Sequence, residues 1–253
     1  VRSRSHLILG RGVQLERWAD ADGTVAIYDD CDLGISVTSE TAISVGKNCQ
    51  FRRFYAPAIC LGNYPGQPMR PSYERDARIY RMEGAVGQRD SLRHISKDDV
   101  DETGVARASF IAGGEIIIDE TIIVQGSVRS HKGVHLSERA VICGNLFAED
   151  DVYLDKDSTV LGNVFCQGDI HCESGVVIGQ EGRICSVIAR GQIVFGEGCF
   201  VYGYISNEAG GVVCPIDERD QEQKPSVPEI YLAWPKPERE LTFRDLADFE
   251  GGD

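Results

Sequence analysis

No apolar run in this chain of 253 residues approaches the ~20 needed to span a bilayer as a helix. Positive charge is scarce as well: 26 Lys and Arg stand against 40 Asp and Glu, a net charge of −14. That balance disfavours nucleic acid, whose binding calls for a basic stripe. Nine cysteines are present, yet no two form a Cys-x-x-Cys pair, so neither a zinc ribbon nor a redox motif is supported. An odd count also suits no secreted disulfide framework, and several of these thiols stand where Ala, Leu or Phe stand elsewhere in the repeat. There a free Cys acts as a small hydrophobe. Cys31 and Cys49 stack one repeat apart, but strands ~4.8 Å apart hold two Cβ atoms farther than the ~3.8 Å a bridge prefers. Reduced thiols in a reducing compartment are expected.

What the chain does have is a repeat. Gly126, Gly144 and Gly162 lie 18 residues apart, in Val-Gln-Gly-Ser, Ile-Cys-Gly-Asn and Val-Leu-Gly-Asn. The residues between them fall into columns of like chemistry: Val128, Leu146, Val164; Val134, Val152, Ile170; Leu136, Leu154, Cys172; and the small set Ser130, Ala148, Cys166. A fixed period with matched columns marks a solenoid whose repeats bury their apolar faces against one another. Within each repeat, apolar positions come at i and i+2 and again six residues on, as in Ile116/Ile118, Ile122/Val124 and Val134/Leu136. Alternation of two means strand, because i and i+2 share a strand face but not a helix face. Three hexads close a triangular coil. The Gly, Asp and Asn residues at the bends (Gly133, Gly144, Asp151, Gly162, Asp169, Gly175) suit tight or left-handed corners.

The expected fold is therefore all-β: a single parallel β-helix of about 18-residue coils. A first arc spans 7–62, carried by Val25/Ile27, Cys31/Leu33, Val37/Ser39, Ile43/Val45, Cys49/Phe51, Tyr55/Pro57 and Leu61, with Ile43 and Leu61 both stacked in the column of Val25. An inserted excursion, 63–109, follows no hexad rule and is rich in Arg, Asp and Pro. The second arc spans 110–206, its register loosened after Gly179 by inserted residues Gln180–Gly182. Seven or eight coils would make a rod of roughly 35–40 Å. The last stretch, 207–253, is an acidic, Pro-rich tail, and its closing Leu-Thr-Phe-Arg-Asp-Leu-Ala-Asp-Phe suits one short amphipathic helix with Thr242 and Asp245 as a capping pair. Val227, Ile230, Leu232 and Trp234 of that tail offer an apolar cover for the last coil.

Two runs carry a family likeness. Ala140-Val-Ile-Cys-Gly-Asn-Leu-Phe-Ala-Glu-Asp-Asp-Val-Tyr-Leu and Ser158-Thr-Val-Leu-Gly-Asn-Val-Phe-Cys-Gln-Gly-Asp-Ile-His-Cys resemble the repeat of the bactofilins, bacterial polymer-forming cytoskeletal proteins. The likeness covers about 116–205 well and 25–62 by spacing alone. It implies a right-handed parallel β-helix and a non-enzymatic scaffold without nucleotide or other cofactor, often near the membrane. Partners would be other proteins or further copies of the chain, in the bacterial cytoplasm. The chain begins at Val1 rather than Met, which leaves room for an upstream membrane tether. It departs from the family, usually one uninterrupted β-helix with short ends, in its long insertion and sizeable tail.

A second reading is the hexapeptide-repeat acyltransferase class, whose coils also step by six and 18 and whose base is a histidine. Of the five histidines, His135 and His171 share one outward column with Tyr153 between them, two coils or roughly 9–10 Å apart. Two ligands of one metal cannot stand that far apart, so no metal site is read. Asp155 and Glu173, in the next outward column, are the candidates to orient His171. The acyltransferase hexad favours a small residue where this chain has Lys132, Glu138, Asp150 and Lys156, which counts against it. A polysaccharide lyase or hydrolase ranks lower, since Asp155 over Glu173 is more often a solvated pair. More informative is an outward apolar surface: Phe147 over Phe165, a neighbouring column of Cys143, Leu161 and Ile178, and Val141, Thr159 and Val176 beside it. Contiguous exposed apolar surface marks a contact, either with another part of this chain or with a protein partner.

Overall fold

The structure, a computed structural model, describes residues 1–62, 85–88 and 92–214. It is all-β, with parallel strands stacked into a solenoid of about ten turns whose coils lie about 18 residues apart. That is more than the seven or eight coils expected, and a rod of roughly 45–50 Å at ~4.8 Å per coil. Ile116–Ile118 pairs in register with Val134–Leu136, which pairs with Val152–Leu154 and then Ile170–Cys172. Every inward position read from the hexads between 116 and 172 is buried. No helix among the described residues is long and apolar enough to cross a membrane.

Side chains and backbone share the work at the corners. Along one edge, the side-chain oxygen of each coil accepts the backbone N–H of the next. Ser109 Oγ receives Ser127 N at 3.0 Å, Ser127 Oγ receives Asn145 N at 3.0 Å, Asn145 Oδ1 receives Asn163 N at 2.9 Å and Asn163 Oδ1 receives Ser186 N at 2.8 Å. The glycines before these residues are there for closeness, not for a left-handed backbone: a Cβ on Gly162 would run into the Gly144 carbonyl. Gly144 and Gly162 have no positive φ, which corrects the expectation for them. Left-handed residues form a different column, Thr121, Arg139, Asp157, Gly175 and Gly198, with φ of 63°, 58°, 56°, 75° and 74°. Gly12, Asp30 and Asn48 repeat the device in the first arc.

The boundaries differ from those read in the sequence. Strand pairing starts at Arg2–Ser3 and ends at Val213, outside the expected 7 and 206. Within the stretch read as an excursion, Ala85–Gln88 pairs with Ser109–Ala112, Arg93–Ile95 with Ile116–Ile118, and Val105–Ala106 with Ile123–Val124. The latter half of 63–109 is thus already solenoid, its hexads hidden by Arg93, His94 and an intervening 3₁₀ turn at Lys97–Asp99. That turn lies between two strands of this coil, Arg93–Ile95 and Val105–Ala106. Arg93 lies 5.7 Å over the Phe110 ring and bonds Asp99, and Ile95 beneath is fully buried.

The last coil of the first arc shortens. Cys31 sits one full repeat below Cys49, but Val37 pairs with Phe54 and Ile43 with Ile59, not with Leu61, whose neighbour is Val45. Phe54 and Ala56 therefore point inward, while Tyr55 and Pro57, expected inside, are exposed. No corner residue interrupts this coil: Cys49–Leu61 is one strand of 13 residues.

That coil meets the last coil of the second arc. Cys49–Leu61 pairs antiparallel with Cys199–Val213, so Cys199 faces Leu61, Tyr204 faces Tyr55 and Val213 faces Cys49. Among the described strands each arc is parallel within itself, an isolated Gln180–Arg183 bridge aside, and this pairing is the antiparallel one. The two arcs are joined tail to tail, with one apolar core running through both. Phe51 stacks on Phe54 at 4.6 Å and on Phe195 at 6.1 Å, and a Cβ on Gly211 would collide with the Phe51 ring. The edge that the tail residues Val227, Ile230, Leu232 and Trp234 were expected to cover is thus taken by the first arc. Those residues, and the expected terminal helix, lie outside the described residues.

Candidate functional site

Each sheet face carries one outward column. On the first, strand register aligns Ile111, Arg129, Phe147, Phe165, Ile188 and Ser206. Phe147 and Phe165 stack at 5.2 Å with 11° between their planes. Ile111 is 40% and Phe147 37% exposed; the exposed Arg129 stands between them, and beyond it Phe147, Phe165 and Ile188 form an apolar run at least partly open to solvent.

On the second face the outward residues are Ile123, Val141, Thr159, Val177 and Phe200. They point away from the core, yet Val141, Thr159, Val177 and Phe200 are buried. Cys143 and Leu161 are buried with Val141 in one cluster. Two residues assigned to this surface belong to the core instead. Ile178 follows Val160 in the inward column and is 0% exposed, and Val176 is likewise buried. The spacing error is one residue: the coil after Thr159 places Val177, not Val176, on the outside.

The third face carries His94, Ile117, His135, Tyr153, His171 and Val194. Tyr153 stacks on His171 at 5.0 Å and meets His135 edge-on at 6.2 Å. The expected orienting pair on His171 does not form. Asp155 bonds His135 Nε2 through both carboxylate oxygens at 2.9 Å, and Glu173 accepts the Lys156 backbone N–H at 3.1 Å. His131 pairs with Glu149 at 2.7 Å and His94 with Asp119 at 2.6 Å. These histidines are acid-paired, and none of them lines either of the two pockets at the arc junction. Among the described residues no three His, Cys, Asp or Glu are grouped to hold a metal ion.

All nine cysteines are buried and none is in a disulfide. Burial raises Cys166 to about 11 and Cys214 to about 12. The stacked Cys31 and Cys49 thiols donate to the Gly10 and Tyr28 carbonyls at 3.2 and 3.1 Å, and their proximity lowers Cys31 and pushes Cys49 up.

The arc junction holds what the sequence reading missed. Antiparallel pairing breaks between Ser206, opposite Arg53, and Gly211, opposite Phe51. Asn207–Gly210 bulge away, leaving a cleft of about 610 Å³ lined in part by Arg52, Arg53, Arg190 and Asn207. An adjoining cavity of about 830 Å³ shares Ile35 and Arg52 with it. Neither contains a histidine. A signal for Asn207 was present: it occupies the column of small inward residues Ser130, Ala148, Cys166 and Ala189. Comparisons with protein families, curated proteins and solved structures find no match to this chain.

Proposed function

We propose that the chain is a non-catalytic structural scaffold of the bactofilin-like β-helix type, acting through protein–protein contact and self-association. The observation that carries this reading is the outward apolar run of Phe147, Phe165 and Ile188 on one rigid face, with Phe147 and Phe165 stacked and at least partly open to solvent. Exposed apolar surface on a sheet fixed by ladders on both sides is surface built for contact. The occupant proposed is a second copy of this chain, laid side by side along the stripe.

The test is solution mass by sedimentation over a hundredfold concentration range, for the wild type and for Phe147→Ser/Phe165→Ser. The wild type is expected to associate and the variant to stay monomeric with an unchanged melting temperature. A wild type that is monomeric throughout, or a variant that associates equally, contradicts the reading.

The His135–Asp155 pair favours the acyltransferase alternative, because it couples an imidazole of the expected histidine column to an orienting carboxylate. His135→Ala separates the two readings. As a scaffold the variant keeps its mass and function. A measurable acyl-transfer rate that this substitution abolishes would establish the alternative.

A further inference from the structure

The junction cleft is built from both arcs and is chemically unlike the rest of the molecule. Arg52 and Arg53 come from the last coil of the first arc; Arg190 and Asn207 come from the last two coils of the second. In a chain of net charge −14, three arginines around one cleft are a local reversal of sign. Among the described residues Glu208 is the single acidic one lining it, and its nearest approach to Arg190 is 4.0 Å, with both side chains largely exposed. Such a contact is worth little. Among the described residues no ion pair engages Arg52 or Arg53.

Asn207 is the second, independent sign. It is 4% exposed, yet neither its Oδ1 nor its Nδ2 has a hydrogen-bond partner. Buried amides are almost always satisfied, and one left unpaired costs ~1–3 kcal/mol. Its column-mates Ala189 and Ala148 show that a small apolar residue fits this position in other coils. Ser130, the other polar residue of the column, donates to the Gly114 carbonyl, whereas Asn207, in the coil where the bulge opens the cleft, bonds nothing.

We propose that this cleft binds the oxyanion group of a small molecule, a phosphate or a carboxylate. Arg52, Arg53 and Arg190 supply charge and planar N–H forks that match oxyanion geometry. The Asn207 amide donates its N–H to the same group from the buried wall. A cavity of about 610 Å³ is of small-molecule size. Because its walls come from both arcs, the bound anion ties the first arc to the second and stabilises their junction by mass action.

The experiment is calorimetric titration of the full chain with sodium phosphate and, separately, sodium citrate, against chloride of equal ionic strength, paired with thermal melts. Saturable one-site binding of either anion is expected, with a rise in melting temperature. Arg52→Gln/Arg53→Gln should weaken it at least tenfold, and Arg190→Gln at least threefold. Asn207→Ala separates a ligand group from a structural one. It removes an amide that bonds nothing, so the ligand-free melting temperature should hold or rise while anion affinity falls at least threefold. Binding by phosphate alone or by citrate alone supports the site and names its chemistry. No saturable heat from either anion overturns the proposal. So does affinity unchanged in the arginine variants, or a ligand-free Asn207→Ala that melts well below the wild type.

Discussion

The two arcs obey one construction rule with different fidelity. In the second, the coil step stays at 18 residues from Phe110 to Val164, held by the side-chain ladder along one corner and by left-handed residues along another. In the first, two coils keep that step, and the third loses two residues once its last left-handed corner, Asn48, is passed. Register in a solenoid is thus kept by corners rather than by the apolar columns alone. Where no corner residue pins it, the strand runs straight and slides. The sliding coil is also the one that pairs antiparallel with the other arc, across a bulge.

The largest effect should come from breaking a core column where register is firmest. Leu154→Asp places a carboxylate between Leu136 and Cys172 and should cost several kcal/mol or prevent folding. Lys156→Asp, exposed on the next corner, should change stability by less than about 0.5 kcal/mol in the same denaturant titration. Equal losses would show the register to be wrong.

Next comes the junction. Gly211→Val pushes a side chain into the Phe51 ring and should cost about 1–3 kcal/mol, with the two arcs unfolding in separate transitions. A single transition with unchanged midpoint would mean the arcs do not meet there.

A smaller loss, about 0.5–1.5 kcal/mol, is expected for Asn163→Ala, which deprives Ser186 N of its acceptor and Asn145 Oδ1 of one donor. Hydrogen exchange should then quicken at Ser186, with little change across the first arc. Uniform exchange through both arcs would argue against separate corner control.

The smallest effect is acid sensitivity at the corners and turns. Burial would raise Asp30, but its bonds with Asn48 and Arg11 win and hold it below the usual aspartate range. Asp101 is lowered by bonds from Thr103 and Arg107. A carboxyl whose folded pKa is depressed adds stability above its unfolded pKa, about 4, and loses it as pH falls through the folded value. The melting temperature of Asp101→Asn should therefore fall below that of wild type at pH 7 and converge with it below about pH 4. A gap that persists under acid would rule out this charge-dependent origin.

Much of the fold was legible because the sequence writes it twice, as alternation within a strand and as like residues 18 apart. Phe147 over Phe165 could be read outward for the same reason. What escaped was set by non-periodic chemistry. Arg93 and His94 broke the apolar code of a strand that still pairs. Asn48 was followed by a coil with no corner, so Tyr55 and Phe54 exchanged sides. Val176 and Ile178 were misplaced by one position within an otherwise correct repeat. The reversal at the junction has no local signal at all, since antiparallel and parallel partners demand the same alternation. His171 looked paired because the acids sit one column away, but Asp155 reaches His135 instead.

The tail-to-tail junction is the feature on which the rest of this architecture depends, and cross-linking tests it most directly. Tyr55 and Tyr204 face one another, as do Arg53 and Ser206, in a register that only antiparallel coils allow. The nine native thiols are buried and leave a low background. Tyr55→Cys/Tyr204→Cys and Arg53→Cys/Ser206→Cys should each form an intramolecular disulfide under mild oxidation, whereas Tyr55→Cys/Ser186→Cys, one coil farther on, should form it poorly. Failure of both facing pairs to cross-link in folded protein would contradict the joined arcs.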